Sequence, residues 1–121
     1  ASPLALTVRL SETAVGIENV DAIAAVPGVD VVWLGHFDLT NFLGIPGEFQ
    51  HPKYLGAVDA LLAACERHGK TPGFMAANDA WAEDYRAKGF RILAYGIDVL
   101  LMQGALAAGL ARLREREPRK G

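Results

Sequence analysis

The sequence predicts an α/β fold built on a parallel sheet, and three observations point there. Short runs rich in Leu, Val, Ile and Thr alternate four times with longer segments of helical spacing. The run VDVVWL, Val29 to Leu34, is apolar enough for a strand covered on both faces. Turn signals such as PGVD, and the cluster of Gly44, Pro46 and Gly47, separate the two kinds of segment. Consecutive parallel strands cannot be joined by a tight turn, so each intervening helix is a crossover.

The elements follow in order. Leu4 to Leu10 (LALTVRL) is short and rich in Leu, Val and Thr, which suits a strand. Thr13 to Ala25 places Val15, Ile17, Val20, Ile23 and Ala24 at helix-like intervals. After PGVD comes the strand Val29 to Leu34, then a segment read as a loop, Gly35 to Gly47 (GHFDLTNFLGIPG). HPKYLGAVDALLAACERHG is framed as a helix by Pro52 in its first turn and Gly69 just past its end. KTPGFMAA reads as a strand, NDAWAEDYRAKG as a helix capped by Asn78 or Asp79, and FRILAYGID as a fourth strand. A last helix is expected from Val99 to Glu117. Two architectures fit: an open doubly wound sheet, or half of a barrel of eight βα units, which takes about 250 residues in full.

Composition narrows the functions. The 121 residues are 51% hydrophobic with a formal net charge of −2, as suits one globular domain over 1–121 with no nucleic-acid partner. In the C-terminal RLREREPRKG, Glu115 and Glu117 interrupt the arginines, which reads as a solvated helix end. The single cysteine, Cys65, excludes an internal disulfide and lies among small apolar residues, as a packed thiol does. No apolar stretch reaches the roughly 18 residues of a membrane span. The opening ASPLALTVRL lacks the basic region and longer apolar run of a secretory signal, so a cytoplasmic location is expected.

In both architectures functional groups gather at the carboxyl ends of the strands. The polar residues there are Glu12, Asp38, Asn78 with Asp79, and Asp98. Glu12 and Asp38 follow neighbouring strands, with no Cys or His pair at metal spacing, and two carboxylates in that setting describe a hard divalent cation site. Each also reads as a cap: Asp38 of a helix or turn, Asp98 of the last helix, Asn78 or Asp79 of the helix before it.

The string SETAVGIENVDAIAAVPGVDVVWLGHFDLTNFLGIPG, the HP that opens a helix, GKTPGF, and a GID after the last strand resemble the C-terminal half of the HpcH/HpaI aldolase/citrate lyase family, the pyruvate-utilising class II aldolases. The resemblance runs from about Leu6 to about Arg112. It implies half of a (β/α)8 TIM barrel, strands five to eight with their helices. It makes Glu12 and Asp38 the ligands of one divalent metal, Mg²⁺, Mn²⁺ or Co²⁺. It places the carboxylate of a small 2-oxoacid at the backbone of Phe37 and Asp38, and Met75 in an apolar pocket position. The implied reaction is cleavage of 4-hydroxy-2-oxoacids to pyruvate or hydroxypyruvate and an aldehyde. The alternatives are oxaloacetate decarboxylation, a citrate-lyase-β-like reaction, or a non-catalytic half-barrel serving assembly. Three residues depart from the family pattern: Leu10 replaces its Gln, His36 its Pro, and Phe37 its small residue. His36 beside the metal suits either proton transfer or a hydrogen bond to the aspartate. The family's catalytic Arg and His–Asp pair belong to the first half of the barrel, outside this chain, so the expected partners are that half-barrel or further copies in a homo-oligomer.

Overall fold

The computed structural model describes residues 5–116. Its first strand, β1 (Val8–Ser11), starts later than the predicted run, of which Leu4 lies outside the described residues. The helix expected over Thr13–Ala25 forms as two pieces, α1 (Ala14–Glu18) and α2 (Val20–Ala25). The Thr13 hydroxyl starts α1 by accepting the Gly16 N–H at 2.9 Å. The break falls at Asn19, whose side-chain amide donates to the Val15 carbonyl at 2.8 Å and so competes with continued helix bonding.

β2 (Val31–Leu34) is buried at Val31, Val32 and Leu34, as its apolar sequence requires. The segment after it departs from expectation: the first half of the supposed loop is a helix, α3 (His36–Phe42). Seven residues span fewer than two turns, too few for an apolar period to register. Thr40 ties α3 to the following turn, donating to the Phe37 carbonyl at 2.8 Å and accepting the Gly47 N–H at 3.0 Å. α4 (Pro52–His68) begins and ends where Pro52 and Gly69 predict, with His51 Nδ1 accepting the Lys53 N–H and Gly69 at φ +63°. Then come β3 (Thr71–Ala76), α5 (Asp79–Lys88), β4 (Ile92–Tyr95) and α6 (Asp98–Arg116). The predicted end of α6, Glu117, lies outside the described residues.

All strand pairs are parallel and the sheet order is β1-β2-β3-β4, following the chain without a reversal. A doubly wound sheet reverses its strand order; this one does not. Val32, Leu34, Phe74 and Ala76 pack on one face of the sheet against Ala24 of α2, Leu61 of α4 and Tyr85 of α5. Full burial of each Val, Leu or Phe among them contributes roughly 1.5–3 kcal/mol of burial free energy. Tyr54 and Tyr85 are both buried, and their hydroxyls satisfy one another at 2.5 Å. Alternation along the strands turns Leu10, Trp33 and Met75 to the other face. There the Trp33 ring lies over Gly73, where an added Cβ would come within 2.4 Å of it. Leu10 is 55% exposed on that face, and along α6 Leu100, Met102, Leu106 and Leu113 are also exposed. No described helix is long and apolar enough to cross a membrane.

Candidate metal and substrate site

Register brings the two candidate carboxylates to one end of the sheet. Ser11 pairs with Leu34, so the next residues, Glu12 and Gly35, leave the sheet side by side, and the Gly35 N–H donates to the Ser11 carbonyl at 3.0 Å. A Cβ on Gly35 would stand 2.5 Å from Glu12 Cβ and 3.1 Å from Oε2. Gly35 has φ −86°, which any residue adopts, so it is needed for room and not for backbone freedom. The Glu12 side chain thus lies across the entry to α3, whose first turn carries the exposed Asp38.

A cavity of about 180 Å³ has Glu12, Gly35, His36, Phe37, Asp38 and Met75 on its walls. The five residues singled out from sequence, drawn from the end of β1, from α3 and from β3, therefore meet in one place. The other strand-end residues do not join them. Asn78 caps α5, its Oδ1 accepting the Trp81 N–H at 3.0 Å. Asp79 accepts from the Tyr95 hydroxyl, and Asp98 accepts the Val99 N–H at 2.8 Å. Three larger cavities, of about 370 Å³ along α6 and of about 350 and 270 Å³ at the amino ends of the strands near Lys70 with Arg91 and near Thr7 with Arg9, hold no pair of carboxylates. Cys65 is buried, and burial pushes its thiol up to about 11, which leaves it a poor nucleophile.

His36 stands in the first turn of α3 yet is 3% exposed. Its ring lies among Phe37, Phe49, Phe74 and Trp81, with centroids 4.5 to 5.7 Å away. Nε2 is buried without a hydrogen-bond partner, so it makes no bond to Asp38. Burial pushes the pKa of His36 down to about 4, outweighing a backbone hydrogen bond at Leu34 and the charge of Asp38, and the ring is neutral at pH 7. The stability consequence has a definite sign. Above about pH 6.5 neither the folded nor the unfolded state protonates this histidine; between about 6.5 and 4 the unfolded state does and the folded state does not. Stability is therefore expected to fall across that window, measured as urea midpoints at pH 7 and pH 5, and His36→Phe should flatten the fall. An equal fall in the variant would show that other groups carry it.

Three residues that shape this end of the sheet escaped the sequence reading: Gly35, Phe49 and Trp81. Gly35 stands directly before His36 and Phe37 but carries no turn signal, since its φ is negative. Phe49 and Trp81 are far from His36 in sequence and meet its ring only through the fold.

The sequence pattern of the HpcH/HpaI aldolase/citrate lyase family matches residues 4–105. The chain belongs to that family. Among its members, the hydroxypyruvate/pyruvate aldolase of Chromohalobacter salexigens is 36% identical over 103 residues, which make up 85% of this chain and 41% of that protein. The 2-keto-3-deoxy-L-rhamnonate aldolase of Salmonella typhimurium is also 36% identical over 103 residues, 85% of this chain and 39% of that one. The crystal structure of an HpcH/HpaI aldolase/citrate lyase family protein from Burkholderia cenocepacia superimposes with a TM-score of 0.85 at 34% identity, covering 90% of this chain and 42% of that one. The chain thus spans about two fifths of the length of the curated relatives it matches.

Proposed function

We propose that this chain forms the metal- and oxoacid-binding part of a class II aldolase that cleaves 4-hydroxy-2-oxoacids to pyruvate or hydroxypyruvate and an aldehyde. The observation that carries the reading is the meeting of Glu12 and Asp38 on one cavity wall, with Gly35 leaving room for the Glu12 side chain. An all-oxygen pair suits Mg²⁺, Mn²⁺ or Co²⁺. Among the described residues no third His, Cys, Asp or Glu joins the pair, so water and substrate would have to complete the shell of a bound cation, as hard cations commonly allow. A cation held there by Glu12 and Asp38 would supply positive charge to a keto oxygen, where negative charge develops as the carbon–carbon bond breaks. Glu12 and Asp38 fix that charge at the strand ends. The N–H groups at Phe37 and Asp38, in a first turn whose donors lack partners within the helix, suit the carboxylate of the oxoacid. Met75 gives the cavity an apolar wall for its methyl or hydroxymethyl end.

The four βα units read as strands five to eight of an eight-stranded barrel, with residues 1–121 as its C-terminal half. What supports this is the unreversed parallel order, the helices packed on one face, and apolar Leu10 left uncovered on the other. By the same family resemblance, the Arg that steadies the developing charge and the His–Asp pair that moves the proton come from the other half. The test is pyruvate release by the full protein from a 4-hydroxy-2-oxoacid. It should be abolished by chelation and restored by Mn²⁺; activity indifferent to chelator would overturn the reading.

Phe37 is the residue through which this chain sets its own donor preference. Half-exposed, its ring borders the cavity and meets Phe49 edge-on at 5.2 Å. Phe37→Ala is expected to enlarge the pocket and shift the ratio of pyruvate to hydroxypyruvate use several-fold, while stability changes by about 1 kcal/mol or less. Donor competition assays decide it; an unchanged ratio would place the ring away from substrate. A second reading, a non-catalytic half-barrel serving assembly, draws on the exposed apolar residues of α6. It requires that the full protein bind no Mn²⁺ through Glu12 and Asp38.

A further inference from the structure

α3 is held in its later part by buried Leu39 and Thr40 but has little of its own to hold its start. It is seven residues long, and Gly35 at its cap offers no side-chain bond to its first turn. Yet that turn carries both Asp38 and Phe37. What restrains it lies behind the cavity, on the helix-covered side of the sheet. The ring of His36, the first residue of α3, is 4.7 Å from Phe74 of β3, 5.2 Å from Trp81 of α5 and 5.7 Å from Phe49 in the turn before α4. Trp81 and Phe49 in turn meet each other at 4.9 Å, closing the ring of contacts. Phe74 is itself fixed, stacked on Tyr85 at 3.6 Å with the planes 3° apart. A residue that moves protons needs a nitrogen within hydrogen-bond reach of the reacting group, directly or through water. Nε2 of His36 is enclosed and bonded to nothing, and beyond a backbone hydrogen bond at Leu34 the side chain contributes a flat, well-packed ring.

We propose that His36 is a positioning residue: held by Phe74, Trp81 and Phe49, its ring anchors the first turn of α3 and so sets the Asp38 carboxylate against Glu12. The proposal rests on Glu12 and Asp38 being the metal pair. It assigns a purpose to the histidine that stands where the family pattern has proline, and it gives Trp81, outside the cavity, a part in ligand binding.

Three variants of the full protein test it: His36→Ala, His36→Phe and Trp81→Ala. Each is read by Mn²⁺ titration, by hydrogen exchange of the amides of residues 37–42, and by separate kcat and KM values. Groups that orient a metal ligand typically account for about 10–100-fold in affinity. His36→Ala and Trp81→Ala are therefore expected to weaken Mn²⁺ binding by about tenfold or more, raise KM for the oxoacid, and speed exchange in residues 37–42, with kcat altered far less. His36→Phe keeps the flat ring and should stay within about threefold of the parent on every measure. If His36→Phe instead loses about 100-fold in kcat at unchanged Mn²⁺ affinity, the nitrogen takes part in proton transfer and the proposal falls. It falls equally if both His36→Ala and Trp81→Ala bind Mn²⁺ as the parent does. Trp81→Ala decides the matter should His36→Ala fail to fold. Failure of the metal reading has a separate signature: Asp38→Ala binding Mn²⁺ as tightly as the parent.

Discussion

Asp38→Ala in the full protein is expected to lower metal-dependent cleavage by about 10²–10³-fold or more, and Glu12→Ala by a similar factor. The magnitude follows from the role proposed for the pair: removing one preorganised group that stabilises developing charge typically costs that much in rate. The fold should survive either change. Asp38 is exposed on the first turn of a short helix, and Glu12 follows the last residue of an edge strand. Substitutions at such surface positions usually alter stability by about 0.5 kcal/mol. If both residues hold one ion, as proposed, the double variant should be little worse than either single one, as with groups that work as a unit. Pyruvate release at saturating Mn²⁺, run beside a thermal melt, separates lost chemistry from lost structure. Full activity in Asp38→Ala would remove the basis of the functional reading.

The second large effect concerns the 121-residue chain expressed by itself. It is expected to show little or no aldolase activity, because the charge-stabilising Arg and the proton-handling His–Asp pair implied by the family resemblance are not among its residues. Each of those contributions commonly amounts to a factor of about 10² or more. It is also expected to associate. β1 is an edge strand with Val8 and Leu10 exposed at 51% and 55%, and α6 presents Met102, Leu106 and Leu113 at 62–68% exposure. Unpaired strand edges and contiguous apolar surface both recruit partners. Sizing chromatography with light scattering, alongside a pyruvate-release assay, addresses both parts. A stable monomer that turns over substrate would mean that the catalytic groups lie within these residues.

Much of the fold was legible because its signals are local. Pro52 and Gly69 mark the ends of α4 by backbone geometry alone, and Asn78 announces α5 through one side-chain bond. The meeting of Glu12 and Asp38 followed from a general rule about strand ends. What escaped depended on length or on distant partners. α3 is too short to display a period, and the Asn19 break turns on a single competing amide. The surroundings of His36 could not be read at all. Its sequence neighbour Asp38 suggested a hydrogen bond, but its actual neighbours, Phe74 and Trp81, arrive from 38 and 45 residues away.

The two tryptophans stand on opposite faces of the sheet, Trp33 over Gly73 and Trp81 beside His36. The protein therefore carries two intrinsic fluorophores that sample different compartments. Replacing Trp81 by Phe leaves an emitter that watches the uncovered face, where a docking half-barrel would exclude solvent and shift its emission to the blue. Replacing Trp33 instead leaves one that watches the aromatic packing behind the cavity. Closure of the sheet by the proposed other half and movement of α3 would thus be separable optical events, recorded without an added label.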